Sequence, residues 1–285
     1  MNYLFFGTPK FAEIVLKELI EANLSPAAVV CNPDRPVGRK KIITPPPVKQ
    51  LIQRQEIGDK GQEKISILQP EMLDADFAQK LTALKPDFFV VAAYAKIIPQ
   101  NVLDIARLGT IGTHPSLLPK YRGASPIQSV ILAGEKTTGV SLYLMDAKMD
   151  HGSILTEEKL DIALNENYLE LEEKLAHCGG KLLAKTIPDF FAGKMHPKEQ
   201  NDANATFTKK FKTEDGYVDE KELATALRGE GDPASIYRKI LALNPEPGAW
   251  TVRDGKRLKL LEAKIMDKAL HLTKIQREGE KAKKA

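Results

Sequence analysis

The chain has 285 residues, 42% of them hydrophobic and 28% charged, and its formal net charge is +4. This composition is typical of a globular protein with one sizeable core and a smaller second one. The apolar runs stay well short of the roughly 18 residues of a membrane span, and the first residues lack a basic leader, so we expect neither a membrane segment nor a signal peptide. Cys31 and Cys178 lie far apart, which favours a reducing, cytoplasmic setting without a disulfide framework.

Short apolar strands alternate with helices through the first two thirds of the chain. Strands are predicted at 2–6, 27–31, 65–68, 87–94, 109–114, 137–145 and 153–162. Helices are predicted at 11–22, 70–84, 99–106, from about 124 onward, and at 167–193. The alternation predicts an α/β fold with a Rossmann-like open, mostly parallel sheet covered on both faces. Ligands of such sheets bind beyond the carboxyl ends of the strands.

The composition becomes polar near 198–210, which indicates a linker before a second domain. One helical pattern (220–229) and short strands such as 249–254 and 257–266 follow, so this domain is predicted to be small and β-rich. We expect a catalytic domain at 1–190, a linker at 191–208 and a C-terminal domain at 209–285. The tail from about Lys274 is expected to fray.

His114 ends a predicted strand and is followed by a turn that Pro115 and Pro119 brace. A histidine at a strand end is more often structural than catalytic, but this turn places backbone donors and acceptors beside apolar side chains. Such a surface suits a flat heterocycle. The unperturbed pKa of histidine lies close to neutrality, so the side chain also suits proton transfer.

Asp146 and Asp150 flank a tight loop that Gly152 allows to turn. A carboxylate on a loop at the ligand edge of the sheet could orient His114 or move protons through water. Many pairs of aspartates at this spacing, however, only cap turns. The sequence has no HExxH, no CxxC and no pair of spaced histidines, so no metal is predicted. It also lacks a full GxGxxG and any GxSxG, which disfavours a dinucleotide site and a serine hydrolase.

Successive blocks of the sequence resemble the methionyl-tRNA formyltransferase family from the N-terminus to about residue 265. In chain order they are FGTPKFA, PDRPVGRKK…PPPVK, VVAAYAKIIP, THPSLLPKYRGASPIQ, TTGVSLYLMDAKMDHGSIL and NPEPGAWT. The HxSLLPxxRG block is shared with other folate-dependent formyltransferases. PDRPVGRKK and NPEPGAWT are more particular to the tRNA enzymes.

The resemblance implies transfer of a formyl group from 10-formyltetrahydrofolate to the amino group of methionyl initiator tRNA, by a monomer without metal. In the family, residues matching His114 and Asp150 work with an asparagine around the transferred carbon. A cationic His114 would donate to the tetrahedral oxyanion, and Asp150 with a bridging water would hold His114 and move protons. The implied folate contacts are Ser116, Leu117, Leu118, Pro119, Lys96, Ile97, Ile98 and Asp146. The implied tRNA contacts are Arg35, Arg39, Lys40, Lys41, Lys209 and Lys210, whose positive charge suits phosphates.

Gly112 stands where the family has its asparagine. Losing one oxyanion donor costs about 10²–10³ in rate. The enzyme is therefore predicted to be folded and to bind folate but to be slow, and Gly112→Asn is predicted to restore its rate of formylation. The alternative is that glycine permits a close ligand approach, with water as the donor. Ala95 replaces a usual glycine and would be strained if that position needs positive φ. The short C-terminal domain implies an abridged open barrel of the oligonucleotide-binding type.

Two other functions are compatible with parts of this sequence. A sugar-nucleotide N-formyltransferase shares the catalytic block and would explain a reduced barrel, but not PDRPVGRKK or NPEPGAWT. A catalytically weak, RNA-binding relative is motivated by Gly112 alone.

Overall fold

The computed structural model describes residues 1–38, 40–58 and 65–285, which form two compact units. The first unit consists of Met1–Arg122, Gly139–Leu160 and Glu173–Thr206. The second unit consists of Gly123–Thr138, Asp161–Glu172 and Phe207–Ala285. Two stretches within the expected catalytic domain therefore group with the second unit. The domain boundaries at 190 and 208 stay a prediction.

The elements are numbered in chain order. The strands are β1 (Tyr3–Gly7), β2 (Ala28–Val30), β3 (Arg35–Val37), β4 (Ile42–Thr44), β5 (Ser66–Leu68), β6 (Phe88–Ala92), β7 (Thr110–His114), β8 (Arg122–Gly123), β9 (Thr137–Leu144), β10 (Ile154–Asp161), β11 (Phe207–Thr208), β12 (Ala249–Arg253), β13 (Lys256–Met266), β14 (Ala269–Arg277) and β15 (Lys283–Lys284). The helices are α1 (Lys10–Glu21), α2 (Pro47–Gly58), α3 (Ala75–Ala83), α4 (Gln100–Leu103), α5 (Pro126–Ala133), α6 (Tyr168–Phe191), α7 (Glu220–Leu227) and α8 (Pro233–Leu243). None of the helices in the described ranges is long and apolar enough to cross a membrane.

A seven-stranded sheet in the order β10-β9-β7-β6-β1-β2-β5 confirms the predicted fold class. The pairs β2–β5, β1–β2, β1–β6 and β6–β7 are parallel, and β7 pairs with β9 in antiparallel orientation. Every residue of β1 and β6 is buried, as expected for central strands covered on both faces. Tyr3 stacks on Phe88 across the two strands, with ring centroids 5.0 Å apart.

Helix α3 begins five residues later than the sequence indicates. The Asp74 side chain accepts a hydrogen bond from the backbone N–H of Phe77 at 2.9 Å. A carboxylate in this position satisfies one of the free N–H groups of a helix start and fixes where the helix begins. The predicted start at residue 70 is therefore wrong, because apolar spacing alone does not show the cap.

The basic segment after β2 is a hairpin and not the irregular loop that its composition suggests. Strands β3 and β4 pair in antiparallel orientation, with Val37 opposite Ile42. Gly38 and Lys41 take positive φ in the turn between them, and the N–H of Lys41 donates to the Gly38 carbonyl. Arg39, which the sequence assigns to tRNA binding, lies outside the described residues.

The second unit contains a four-stranded antiparallel sheet in the order β12-β13-β14-β15. Helix α8, which the sequence analysis missed, buries Ile236, Tyr237 and Ile240 against this sheet. The spacing of these residues is helical and could have revealed the helix. Helix α5 groups with this unit because it packs on α8, where Arg238 Nε donates to the Leu132 carbonyl at 3.1 Å.

The expected fraying of the tail from Lys274 is wrong. Strand β14 continues to Arg277, and β15 adds to its edge with Lys274 opposite Lys284 and Ile275 opposite Lys283. Ile275 also packs against the core of the second unit. Backbone pairing and this apolar contact together account for the ordered tail.

Candidate active site

The structure brings the predicted histidine and aspartate together at the edge of the sheet. His114 is the last residue of β7, and Asp150 lies in the loop that joins β9 to β10. His114 Nδ1 is 3.7 Å from Asp150 Oδ2, and the two side chains are 8% and 17% exposed. The two groups face each other without a hydrogen bond at this distance. Such pairs often tighten only when substrate binds.

The other ring nitrogen of His114 already has a partner. His114 Nε2 lies 2.9 Å from the carbonyl oxygen of Tyr121. A carbonyl oxygen can only accept, so Nε2 carries a proton and donates it here. Nδ1 is therefore the nitrogen that faces Asp150.

Half-buried Gln200 and buried Arg122 hold the loop that carries Asp150. Gln200 Nε2 donates to the carbonyl of Asp150 at 2.9 Å and to that of Gly152 at 2.8 Å. Arg122, 3% exposed, donates from Nε and Nη2 to Gln200 Oε1 at 3.0 and 2.8 Å. Neither residue was predicted to belong to the site, although Arg122 is the arginine of the HxSLLPxxRG block. They fix the backbone on either side of His151.

A second set of contacts joins the same loop to Asp202. His151 Nδ1 lies 2.6 Å from Asp146 Oδ2, and His151 Nε2 lies 3.4 Å from Asp202 Oδ2. Arg122 Nη2 donates to Asp202 Oδ1 at 2.8 Å. This hydrogen bond, together with the positive charge of Arg122 and a weaker contribution from His151, holds the pKa of Asp202 below its usual range. Asp146, predicted to touch folate, is thus an anchor of the loop, and a folate contact there stays a prediction.

Polar groups of the turn after His114 form hydrogen bonds within the turn and with β9. The Ser116 hydroxyl donates to the Lys120 carbonyl at 2.6 Å, and the Leu118 N–H donates to Ser141 Oγ at 2.9 Å. Ser116 is fully buried, and Leu118 is nearly so. These contacts make the turn rigid. Folate binding by Ser116, Leu117, Leu118 and Pro119 stays a prediction.

The loop after β6 leaves the same sheet edge as this turn, because Ala92 pairs with Thr113 in parallel orientation. Lys96 Nζ is held by the carbonyls of Pro70 and Glu71, at 2.6 and 2.7 Å. Ile97 is 90% exposed and Ile98 is buried. Their contact with folate stays a prediction.

Ala95 does not take the positive φ that would strain an alanine at that position. Positive φ falls instead on Ala93, where φ is 49°. Alanine is therefore tolerated at position 95, since no left-handed backbone is required there.

Gly112 faces a tyrosine that the sequence analysis did not single out. Gly112 pairs with Tyr143 across β7 and β9. A Cβ atom on residue 112 would lie 2.4 Å from Cε1 and 2.9 Å from Oη of Tyr143. The Tyr143 hydroxyl donates to Asp150 Oδ1 at 2.7 Å. The space that an asparagine would need is filled, so Gly112→Asn alone cannot add an amide unless this ring moves.

The residues predicted to bind tRNA lie in both units. In the first unit, Arg35 pairs with Glu71, and Lys40 and Lys41 are exposed. In the second unit, Lys209 pairs with Asp215 and Lys210 is exposed.

Lys49 ends the block PDRPVGRKK…PPPVK and has a structural role. Its Nζ binds the carboxylate of Asp34 at 2.9 Å and Oε1 of Gln69 at 2.8 Å. The hydrogen bonds from Gln69 and Lys49 lower the pKa of Asp34. Lys49 is therefore engaged in this polar cluster and is less exposed than Lys40 and Lys41.

Comparison with known proteins identifies the family to which the chain belongs. The family described as "Formyl transferase" matches residues 1–187, and "Formyl transferase, C-terminal domain" matches residues 231–285. A methionyl-tRNA formyltransferase from Halalkalibacterium halodurans is 40% identical over 261 residues, which are 91% of this chain and 77% of that protein.

Solved structures share the fold at lower identity. The methionyl-tRNA formyltransferase from Clostridium thermocellum has a TM-score of 0.62 and 18% identity, covering 98% of this chain and 99% of that one. An N-formyltransferase from Helicobacter canadensis, solved with folinic acid and dTDP-3-aminofucose, has a TM-score of 0.65 and 16% identity, covering 94% and 88%. At these identities the likeness concerns the fold alone.

The sheet, the histidine–aspartate edge and the two matched families together define a formyl transferase. Within that class, the 40% sequence identity to a methionyl-tRNA formyltransferase over 91% of this chain decides the family. The chain belongs to the methionyl-tRNA formyltransferase family.

Proposed function

We propose that this chain transfers a formyl group from 10-formyltetrahydrofolate to the amino group of methionine on initiator tRNA. The observation that carries the proposal is the pairing of His114 with Asp150, 3.7 Å apart at the ligand edge of the sheet. The 40% identity to a methionyl-tRNA formyltransferase supports the choice of acceptor. We place the reaction in the cytoplasm and in a monomer.

The reaction needs a developing negative charge to be stabilised and one proton to be moved. The amino nitrogen attacks the formyl carbon, and the carbonyl electron pair shifts to oxygen. The electron pair on the oxyanion then reforms the carbonyl, and the bond between the formyl carbon and the folate nitrogen breaks. The folate nitrogen takes up the proton that the amine loses. Asp150 accepts and passes on this proton through water. Protonated His114 donates to the oxyanion from Nδ1, because Nε2 is engaged with Tyr121.

Gly112 provides no side-chain donor to the oxyanion. An enzyme with a single donor from His114 is expected to turn over about 10²–10³ times more slowly than one with an additional amide. The folate itself would lie against the turn Ser116–Pro119 and the backbone of Lys96–Ile98. Neither surface depends on residue 112, so folate affinity is expected to be ordinary.

The direct test is a formylation assay with methionyl initiator tRNA and 10-formyltetrahydrofolate. We expect formylmethionyl-tRNA to form slowly but well above the rate of an Asp150→Ala variant. A dTDP-linked amino sugar serves as the competing acceptor and is expected to remain unmodified. Formylation of the sugar in preference to the tRNA would establish the sugar enzyme. Folate and tRNA binding without any transfer would establish the non-catalytic relative.

Replacing Lys40 and Lys41 together with alanine is expected to weaken tRNA binding and to leave folate affinity unchanged. Both side chains are exposed at the tip of the β3–β4 hairpin. Each lysine–phosphate ion pair that the double variant loses should reduce the slope of log affinity against log salt concentration by about 0.7–0.9. Binding titrations at several salt concentrations measure this slope.

Lys80 and Lys85 provide a matched control with the same change of charge elsewhere in the first unit, where both are exposed. Their alanine variants are expected to bind tRNA as the parent does. An equal loss in both double variants would show only a general charge effect and would contradict a role for the hairpin tip.

A further inference from the structure

We propose that Tyr143 is a positioning residue of this active site, whose buried hydroxyl holds the Asp150 carboxylate opposite His114. The proposal rests on the formyl transfer proposed above and adds a residue to it.

The register between β7 and β9 places Tyr143 beside Gly112. Gly112 lies opposite Tyr143, and His114 lies opposite Ser141, two pairs further toward the ligand edge. Residues two apart on a strand point to the same face, so Gly112 and His114 share a face of β7. The Tyr143 side chain, 4% exposed, covers Gly112 on that face. This position directs its hydroxyl toward the groups next to His114.

The Asp150 carboxylate contacts Tyr143 through one oxygen and faces His114 with the other. Oδ1 accepts the hydrogen bond of Tyr143 Oη at 2.7 Å, and Oδ2 faces His114 Nδ1 at 3.7 Å. Asp150 lies in a loop with φ of 49°, whereas Tyr143 lies within a strand of the sheet. A hydrogen bond from the strand restricts the rotation of the carboxylate. The oxygen that faces His114 is thereby kept at a defined place.

The phenol of Tyr143 stays protonated. Burial raises the pKa of Tyr143 well above its usual range, and the nearby charge of Asp150 raises it further. The group therefore remains a donor throughout the neutral range, and its single proton is directed at Asp150. It orients the carboxylate and does not replace the oxyanion donor absent at position 112.

The Tyr143 ring also occupies the space beside Gly112. Real Cβ atoms do not approach other heavy atoms as closely as the 2.4 Å found between a Cβ on residue 112 and the Tyr143 ring. The ring is buried and cannot swing aside as a flexible side-chain end could. Gly112 and Tyr143 therefore form a pair, in which the missing side chain on one strand makes room for the ring from the other.

The test is Tyr143→Phe, which removes the hydroxyl and retains the ring over Gly112. We expect kcat to fall about 10- to 100-fold, as for other lost hydrogen bonds to a charged group. KM for both substrates and the melting temperature are expected to stay close to those of the parent. Tyr3→Phe is the matched control, because Tyr3 is also buried in the sheet and donates its hydroxyl to the Leu24 carbonyl. It is expected to leave kcat unchanged.

A double-mutant cycle separates positioning from simple structural damage. In an Asp150→Asn background, Tyr143→Phe is expected to cost little more, because the carboxylate it positions is already absent. An undiminished kcat in Tyr143→Phe, or an equal loss in both backgrounds, would overturn the proposal. A parent chain that formylates no acceptor would overturn the proposed function instead. In that event, a crystal structure of Tyr143→Phe still tests whether Tyr143 positions Asp150. An Asp150 carboxylate in the same place as in the parent would refute that role.

A second pair of variants tests the steric part. Gly112→Asn alone is expected to be less stable and less active than the parent, since the ring blocks the amide. Gly112→Asn combined with Tyr143→Leu is expected to recover stability and to exceed the activity of Gly112→Asn. If Gly112→Asn alone matches the parent in melting temperature and activity, the two positions are not coupled.

Discussion

Replacing His114 with alanine is expected to lower kcat for formyl transfer by about 10²–10⁴-fold, with folate affinity almost unchanged. The imidazole is the titratable group that faces Asp150, and it is the donor that we assign to the oxyanion. The folate surfaces proposed above lie on the turn and on the loop after β6, so binding does not depend on the ring. Single-turnover formylation and a folate titration measure the two effects separately.

Two variants guard this prediction against a trivial loss of folding. His114→Gln can still donate to the Tyr121 carbonyl from its amide but has no titratable nitrogen toward Asp150, so it should be folded and equally slow. His177→Ala changes a histidine on α6 that binds Glu18 at 2.6 Å, and it should retain full activity. Loss of less than tenfold in His114→Ala would contradict the catalytic assignment.

Replacing Gly152 with alanine is expected to lower both stability and kcat strongly. The added methyl group would lie 1.6 Å from the carbonyl oxygen of Leu144, which is backbone and cannot rotate away. The loop is closed at this point by the hydrogen bond from the Leu144 N–H to the Ser153 carbonyl at 2.8 Å. Forcing these strands apart moves Asp150, which lies two residues away. Overpacking of this kind costs about 1–3 kcal/mol and sometimes more.

Denaturant unfolding and kcat are the two measurements, and Gly179→Ala is the control. The nearest atom to a Cβ at Gly179 is the Thr113 methyl carbon at 3.1 Å, on a side chain. Within a helix, alanine is favoured over glycine by about 1 kcal/mol, which offsets the tighter contact. Gly152→Ala with parent-like stability and kcat would show that the loop is not held as described.

The sequence alone indicated most of the first sheet because buried parallel strands are continuous apolar runs. Phe88–Ala92 and Tyr3–Gly7 could be recognised in this way. Helix boundaries depend on single side-chain contacts such as the Asp74 cap, and these are less visible in a periodic pattern. Helix α8 was missed although its apolar spacing was present, and strand β15 was missed because its two lysines carry no strand signal.

Local sequence placed His114 at the end of a strand and Asp150 in a loop next to another strand. Strand order did not decide that they meet, because β9 runs antiparallel to β7 and ends opposite Ile111, near the start of β7. Their separation and the partners that hold them depend on register between segments distant in sequence. Gln200 reaches the Asp150 loop from beyond α6, and Tyr143 reaches it from the neighbouring strand. The sequence showed that residue 112 lacks a side chain. Only the packing of β9 on β7 decided what fills that space, because a side chain missing from one strand leaves room for whichever residue lies opposite it.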